Sequence, residues 1–285
     1  PRDNPPPELS AEILALQKDL SRLQYKATFN ELLNSPGFVR DDRARLRSCS
    51  SKGSGQFMLA VPSFKQVLKP SLFRHALAYR LGVTLYSWPA VTQCPDCRQP
   101  DLPKSIHAVS CNSNKSVVPR HNFAVRAIQD LCQRMNLSTR LEARINNTNV
   151  RPGDLVITCP EEEIWVDVSY INPASSSSMD RAASAAVRLG ASRYLENRKT
   201  SLYSHCFPPD EGKVFVPFAI ETYGAIGRAG LGLIRDLMTR MAHRPGALTF
   251  TQAELRNQFL ASLDVSTQRM NARAIMRRDC VRPYV

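Results

Sequence analysis

The chain has 285 residues, of which 43% are hydrophobic and 22% charged, and its formal net charge is +13. This length is enough for one large domain or two ordinary ones with a hydrophobic core. No run approaches the ~20 apolar residues of a membrane span, and the first residues lack a signal peptide's apolar run, so we expect no membrane partner. Because the first residue is Pro rather than Met, we expect a fragment of a longer chain.

The basic residues are concentrated in two parts of the sequence. Residues 112–151 contain seven Lys or Arg and two acids, and residues 228–285 contain ten Arg and four acids. Lys and Arg displace counterions when they bind phosphates, so this excess favours a nucleic-acid partner. The alternative is a well-solvated basic surface that binds no polyanion.

Residues 1–90 are predicted to form a helical N-terminal region with linkers. The prolines of residues 1–8 favour a linker, and Ser10 is expected to cap a helix whose apolar residues recur at helical spacing as far as Leu33. Residues 40–55 are basic and then rich in Ser and Gly, which predicts an irregular segment. A second helix is predicted over 70–82, with its last glycine as the cap.

A compact Cys/His cluster occupies the predicted unit 91–119. Cys94, Cys97, His107 and Cys111 follow the spacing C-x2-C-x9-H-x3-C. Three thiolates and one imidazole fill a tetrahedral zinc site completely, which is typical of structural zinc. The alternative is four unrelated buried or free residues. Clustered cysteines favour a reducing compartment over a disulfide framework.

Residues 120–243 follow an alternating pattern that predicts an α/β (α+β) fold with a mixed sheet flanked by helices. The predicted order is helix, strand or irregular segment, strands at 154–159 and 163–171, helix at 179–203, strand in "KVFVPFAIETYG", and helix at 227–243. Residues 244–285 are predicted to be a basic helical tail with helices at 251–262 and 264–279. Three arginines of this tail recur at one face: Arg269, Arg273 and Arg277.

Two aspartates mark the predicted strand pair. Asp154 ends "RPGD" and opens the first strand, and Asp167 lies inside the second, in "IWVDVSY". A carboxylate inside an apolar strand is costly unless it is paired or holds a cation. A hairpin could bring the two side by side, where a divalent metal would relieve their repulsion. Oxygen ligands on rigid strands suit Mg²⁺ for phosphodiester hydrolysis.

These motifs together resemble a known nuclease family. The Asp pair is similar to the PD-(D/E)xK nuclease signature, and the sequence "CPDC…HAVSC", then "RHN", then "RPGD…VDVS", resembles the C-terminal restriction-like endonuclease of site-specific non-LTR (LINE-like) retrotransposons. Upstream, "GSGQFMLAVPSF" and "FRHALAYRLGV" resemble the segment that joins reverse transcriptase to this nuclease. The resemblance covers roughly residues 50–225 and implies a PD-(D/E)xK restriction-endonuclease-like core.

The resemblance also implies roles for individual residues. Asp154 and Asp167 match the carboxylates that hold Mg or Mn, whereas Ser169 occupies the usual lysine position. Lys199 and Tyr203 match a K-x3-Y motif on the following helix, from which the family often supplies its lysine. The remaining candidates are an upstream acid, Glu142, and DNA contacts at Arg120, His121, Arg151, Arg269, Arg273 and Arg277. The alternative is capping and packing for Arg120 and His121, a solvated loop carboxylate for Glu142, and an exposed helix cation for Lys199.

The implied function is a metal-dependent DNA endonuclease that nicks target DNA and so supplies a primer for target-primed reverse transcription. DNA, the RNA of the element and a reverse transcriptase in the same or a parent chain are the expected partners. We expect nuclear localisation and leave open a dimer on DNA. The alternative is a domesticated or inactive module that keeps the nuclease fold and binds nucleic acid.

Overall fold

A four-stranded mixed sheet lies at the centre of the computed structural model, which describes residues 7–60, 67–83, 94, 96–99, 106–145, 149–242 and 250–279. Its strands are β1 (Ser138–Leu141), β2 (Leu155–Thr158), β3 (Glu163–Ile171) and β4 (Lys213–Glu221), in the spatial order β1-β2-β3-β4. The first three pair antiparallel, whereas β4 pairs parallel to β3 along nine residues. The predicted mixed α/β class is confirmed.

Helices precede and flank this sheet. Within the described residues they are α1 (Pro7–Asn34), α2 (Arg40–Cys49), α3 (Pro70–Leu81), α4 (Val117–Arg134), α5 (Ser176–Arg181), α6 (Gly190–Tyr203), α7 (Arg228–Ala242) and α8 (Gln252–Asp279). No helix among them combines the length and the apolar character that crossing a bilayer requires. The division of the chain into four units stays a prediction.

The two faces of β3 have different partners. Ile164, Val166 and Val168 belong to the main core, which they share with residues of α4, α7 and α8. Trp165 belongs to a smaller cluster on the other side, and alternation places Asp167 and Ser169 on that same side. Because parallel strands need a long crossover, the chain between β3 and β4 contains α5 and α6, and α6 packs on the sheet. The polar positions of β3 therefore lie on the side of α6.

The C-terminal segment is one continuous helix, so the predicted break after residue 262 is wrong. The carboxylate at its centre, Asp264, is buried and accepts hydrogen bonds from the backbone N–H of Phe57 and from Gln268, each 3.0 Å long. No Gly or Pro interrupts residues 252–279, and the buried acid is satisfied without leaving the helix. Leu255, Phe259, Leu260 and Leu263 of α8 lie in the main core.

Other boundaries also differ from prediction. The single helix expected at 179–203 is interrupted between α5 and α6, where Ala183 and Leu189 adopt positive φ angles of 48° and 57°. Residues expected to be irregular form α2, which contains a buried ion pair of 2.8 Å between Asp42 and Arg45. The sequence does not predict this helix, because its residues are mostly charged and the stability of the helix depends on burial by the rest of the fold.

The N-terminal helices bury fewer apolar residues than their periodicity predicts. Helix α1 begins at Pro7 rather than at Ser10, and residues 1–6 of the predicted linker lie outside the described residues. The apolar residues of α1 are more than half exposed at Ile13, Leu14, Leu16, Leu20 and Leu23. The predicted cap of α3 is confirmed, since Gly82 adopts a φ of 71° and its N–H bonds to the helix end.

A glycine in the turn after β4 allows the close approach of α8. Gly224 has a φ of 93°, and a Cβ atom there would lie 2.2 Å from Oδ1 of Asp264. We expect Gly224→Ala to lower the free energy of unfolding by about 2 kcal/mol, because it adds backbone strain and displaces a buried hydrogen-bonded carboxylate.

The matched control is Gly232→Ala in α7, where a Cβ atom would meet nothing within 4 Å. This variant should keep or raise stability, by up to about 1 kcal/mol, through helix propensity. Urea unfolding of both variants compares them directly. Equal stability of the two would contradict the close approach of α8.

Candidate functional site

The two predicted aspartates meet at the edge where β2 begins. The pairing of β2 with β3 runs from Thr158 opposite Glu163 to Leu155 opposite Val166, so one further step places Asp154 opposite Asp167. The backbone N–H of Asp154 continues the ladder with a 2.9 Å bond to the Val166 carbonyl. Antiparallel strands with a short turn thus bring together two carboxylates that lie 13 residues apart in sequence (154 and 167).

Asp167 is held by a lysine from the crossover helix. Nζ of Lys199 lies 3.1 Å from Oδ1 and 3.0 Å from Oδ2, and the Ser169 hydroxyl donates a 3.0 Å bond to Oδ2. The Asp167 side chain is only 11% exposed. Burial raises its pKa, and the Lys199 charge opposes that rise, whereas the nearby Asp154 adds to it. The structure therefore brings Asp154, Asp167, Ser169 and Lys199 together.

Asp154 is held by a histidine from α4. Its Oδ2 accepts a 2.7 Å bond from the Val168 backbone N–H and lies 3.0 Å from Nε2 of His121. The hydrogen bond with Asp154 raises the pKa of His121, although burial acts in the opposite direction. The His121 side chain is 33% exposed and the Asp154 side chain 27%, so solvent reaches this pair.

Tyr203 positions the lysine. Nζ of Lys199 lies 5.8 Å from the centre of the Tyr203 ring, one turn further along α6, and the ring packs edge-on against Phe215 of β4. A cation over an aromatic face is stabilised electrostatically. The K-x3-Y spacing therefore places both side chains on the side of α6 that faces Asp167.

The upstream acid of the sequence prediction lies apart from this group. The backbone N–H of Glu142 bonds to the carbonyl of Asp154. The Glu142 side chain, however, is 72% exposed and forms a 3.0 Å ion pair with Arg151. Arg151 is itself about half exposed, at 49%. In this arrangement Glu142 and Arg151 bind each other at the surface.

The other predicted DNA contacts have different surroundings. Arg120 is buried, and the packing alternative is the one found for it, since Nη1 bonds to the Val109 carbonyl and to Asn271. Arg277 forms a 3.2 Å ion pair with Asp96, inside the Cys/His cluster. Arg269 bonds to the Val67 carbonyl, and Arg273 is exposed nearby on the same helix.

The four predicted Cys and His ligands lie close together in the structure. The ligand atoms of Cys94, Cys97, His107 and Cys111 all lie within 4.8 Å of one another. The sulfurs of Cys94 and Cys111 are 3.8 Å apart, which matches two sulfurs on one tetrahedral zinc, where Zn–S bonds of about 2.3 Å give about 3.8 Å. Such a Cys₃His set can bind a metal such as zinc. Pro95, which lies between the first two cysteines of the spacing, is outside the described residues.

The cluster is tied to the end of β3. Nδ2 of Asn172, just past that strand, donates a 2.8 Å bond to the carbonyl of Ile106 and a 3.0 Å bond to Ser110. Both partners lie in the segment that carries His107 and Cys111. Sequence reasoning missed Asn172, whose only signal is its position between an apolar strand and Pro173.

The two groups differ as metal sites. Within the described residues, the Cys/His cluster is the set in which three or more His, Cys, Asp or Glu ligands converge. Asp154 and Asp167 are instead paired with His121 and Lys199.

Comparison with protein-family models finds no family that matches this chain, and comparison with curated proteins finds no match.

We expect the purified protein to contain one zinc ion per chain, and Cys97→Ser to remove it. Because metal binding energy is part of the folding energy, this variant should lose more than about 3 kcal/mol of stability. Elemental analysis and thermal unfolding measure the two effects. The control is Cys206→Ser, which lies outside the cluster and should keep the metal; metal-free wild type would exclude the site.

We expect the His121 ring to titrate above its ordinary pKa of about 6.5 in protein without added divalent metal. Its stabilisation is present below that value and is lost as the pH rises through the folded-state pKa. Asp154→Asn should lower the His121 pKa, because it removes the carboxylate that stabilises the imidazolium. NMR titration of the ring protons tests this, with His205 as an internal reference; an unchanged His121 curve would contradict the pair.

Proposed function

We propose that this chain is a divalent-metal-dependent DNA endonuclease of PD-(D/E)xK type, with its lysine supplied by the crossover helix. The observation that carries the proposal is the contact of Lys199 with both oxygens of Asp167, at 3.1 and 3.0 Å. A lysine in the usual strand position would replace Ser169, whose hydroxyl instead bonds to Asp167. In this chain Lys199 brings the cation to the Asp167 carboxylate from the helix α6 instead of from the strand.

Asp154 and Asp167 would hold Mg²⁺ or Mn²⁺. Carboxylate oxygens are the ligands these ions prefer, and the Asp154 side chain keeps 27% exposure. Bound there, the ion would supply charge neutralisation at the phosphate and a more acidic water. Asp154 is anchored by the Val168 backbone N–H and Asp167 by Ser169, so both carboxylates are oriented in advance.

Lys199 would supply the positive charge of the reaction. During hydrolysis the water oxygen bonds to phosphorus, the bond to the 3′ oxygen breaks, that oxygen takes up a proton, and the attacking water loses one. A lysine at this position can orient the water or offset charge on the phosphate. The Tyr203 ring, 5.8 Å away, restricts where its Nζ can lie.

The resemblance to site-specific non-LTR retrotransposons gives this chemistry a setting. The 3′-hydroxyl left by the nick would prime reverse transcription of the element's RNA in the nucleus, by a polymerase in the same or a parent chain. DNA is the proposed substrate, consistent with the net charge of +13. Cutting of both strands would require a dimer of the chain on the DNA.

A module that binds nucleic acid without cutting it is the second candidate. One observation favours it: among the described residues, both carboxylates are already paired, Asp167 with Lys199 and Asp154 with His121. An added divalent metal must compete with Lys199 and His121 for these carboxylates. Nicking in the presence of Mg²⁺ or Mn²⁺ separates the two candidates.

We expect Lys199→Ala to slow cleavage of plasmid DNA by about a hundredfold or more, which is typical for loss of one positioned charged group. Ser169→Ala should cost much less, because the hydroxyl carries no positive charge. Ser169→Lys should restore part of the activity of Lys199→Ala by returning a cation to the same carboxylate. Single-turnover rates at saturating protein separate chemistry from binding.

Asp154→Ala and Asp167→Ala should abolish nicking while DNA binding survives or tightens, because each removes a negative charge that faces phosphate. Normal cutting by Lys199→Ala together with loss in Ser169→Ala would show that the lysine is not the functional cation. Wild-type protein that binds DNA but never nicks it with either metal would favour the non-catalytic module.

A further inference from the structure

The first helix of the chain carries an apolar stripe that is exposed to solvent. Its side chains recur at alternating steps of three and four residues, which is the spacing of a heptad repeat, and the set is here called the α1 stripe: Ile13, Leu16, Leu20, Leu23 and Ala27. All five are exposed, and the four larger ones are more than half exposed. A contiguous apolar surface of this kind marks an interaction site, whereas apolar residues scattered singly over a surface do not.

The rest of the protein contacts α1 through other residues, near the end of the helix. The guanidinium of Arg188 lies 5.6 Å from the centre of the Phe29 ring. Leu33 is buried, and its carbonyl accepts a 2.9 Å hydrogen bond from Nε of Arg43. When Ile13 is assigned to heptad position a, Phe29 falls at c and Leu33 at g, both outside the stripe at a and d. The anchoring of α1 therefore leaves the stripe available to a second helix.

The residue types of the stripe favour a second copy of α1 as that helix. Position a holds Ile13, Leu20 and Ala27, and position d holds Leu16 and Leu23. Leucine at d together with a β-branched residue at a favours two parallel helices over larger bundles. In such a pair each a or d side chain inserts between side chains of the same stripe on the other helix, so one sequence supplies both surfaces.

The charged residues beside the stripe are also compatible with this pairing. In a parallel pair, position g of one helix faces position e five residues further along the other helix. Lys26 at g would thus face Glu31 at e of the second copy, and both side chains are exposed in the single chain. The other pairs of this kind join an acid to a neutral amide: Glu12 with Gln17, and Asp19 with Gln24. None of the three pairs brings like charges together.

We propose that the α1 stripe joins two copies of this chain through a short parallel two-stranded coiled coil. The interface is symmetric, because each copy presents the same stripe to the other. Its contacts involve neither DNA nor a divalent metal, so the proposal does not rest on the proposed endonuclease activity. Because the stripe is short, we expect a dissociation constant in the micromolar range.

Sedimentation equilibrium of the full chain, without DNA and over a range of micromolar concentrations, measures this association. Leu23→Glu places a carboxylate in the stripe, and Leu14→Glu is its matched control, since Leu14 is equally exposed at 64% but falls at position b, outside the stripe. We expect Leu23→Glu to weaken dimerisation by about a hundredfold or more, because two carboxylates would meet in an apolar seam. Leu14→Glu should change it by no more than about twofold.

A charge exchange tests the parallel arrangement independently. Lys26→Glu and Glu31→Lys should each weaken the dimer, because each creates like-charge pairs across the interface, and the double variant should recover most of the affinity. In an antiparallel pair g faces g and e faces e, so the double variant would not recover. Failure of the double variant to recover would therefore overturn the parallel coiled coil.

Circular dichroism establishes that every variant keeps the helical content of the wild type, and all the substituted positions are exposed. Wild-type protein that stays monomeric throughout the micromolar range would overturn the proposal, and the stripe would then be a surface for a different partner. Assemblies of three or more chains, or a dimer that forms only on DNA, would also overturn it. Equal weakening by Leu23→Glu and Leu14→Glu would show unspecific apolar association instead of the proposed seam.

Discussion

A carboxylate buried in the middle of β3 is the constraint on which the surrounding arrangement depends. Asp167 is buried and lies between Val166 and Val168, which face the main core. Its charge requires a partner, and Lys199 supplies it from 32 residues further along the chain. The parallel pairing of β3 with β4 makes this possible, because the crossover must return over the sheet and brings α6 across that side. The ion pair thus joins fold stability to the chemistry that we propose.

The sheet end, α8 and the Cys/His segment depend on one another through a polar network. Asn271 of α8 donates a 2.7 Å bond to the Thr222 carbonyl and accepts one from Arg120, which also binds the Val109 carbonyl. Tyr79 of α3 bonds to the Thr222 hydroxyl at 2.8 Å. Each contact joins segments distant in sequence, so loss of one partner would leave buried polar groups unsatisfied. The Cys/His segment is therefore connected to α8 and to the sheet end through buried polar groups.

Features with local causes were the ones that the sequence could predict. The strands at 154–159 and 163–171 follow from β-branched and aromatic residues around a short turn, and the hairpin alone brings Asp154 next to Asp167. The ligand spacing predicts the Cys/His cluster in the same way. The role of Lys199 is predicted only by the family resemblance, since no local pattern connects a residue on α6 with a carboxylate on β3.

The burial of individual side chains depends on tertiary contacts that the sequence does not show. Periodicity in α1 predicts a helix, but most of its apolar residues are exposed, because periodicity does not show whether another element covers the face. The helical charge pattern likewise cannot distinguish the buried Asp42–Arg45 pair of α2 from a solvated face. Arg120 and His121 are adjacent in sequence, yet one is buried against Tyr170 and the other reaches Asp154.

The difference between buried and exposed cations also affects how the net charge of +13 is interpreted. Arg120 contributes to that total but is buried in internal contacts, and Arg277, although 43% exposed, forms an ion pair with Asp96. A polyanion responds to cations that remain accessible, and not to the formal sum.

A groove of about 940 Å³ between α3, α4 and α8 illustrates this. Its lining contains one acid, Asp130, and four basic side chains: Lys69, Arg126, Arg269 and Arg273. Burial lowers the pKa of Arg269, and the neighbouring charge of Arg273 lowers it further, as expected where like charges lie close together. For a nucleic-acid partner, accessible cations of this kind carry the attraction, because their contact with phosphates releases the counterions condensed on the nucleic acid.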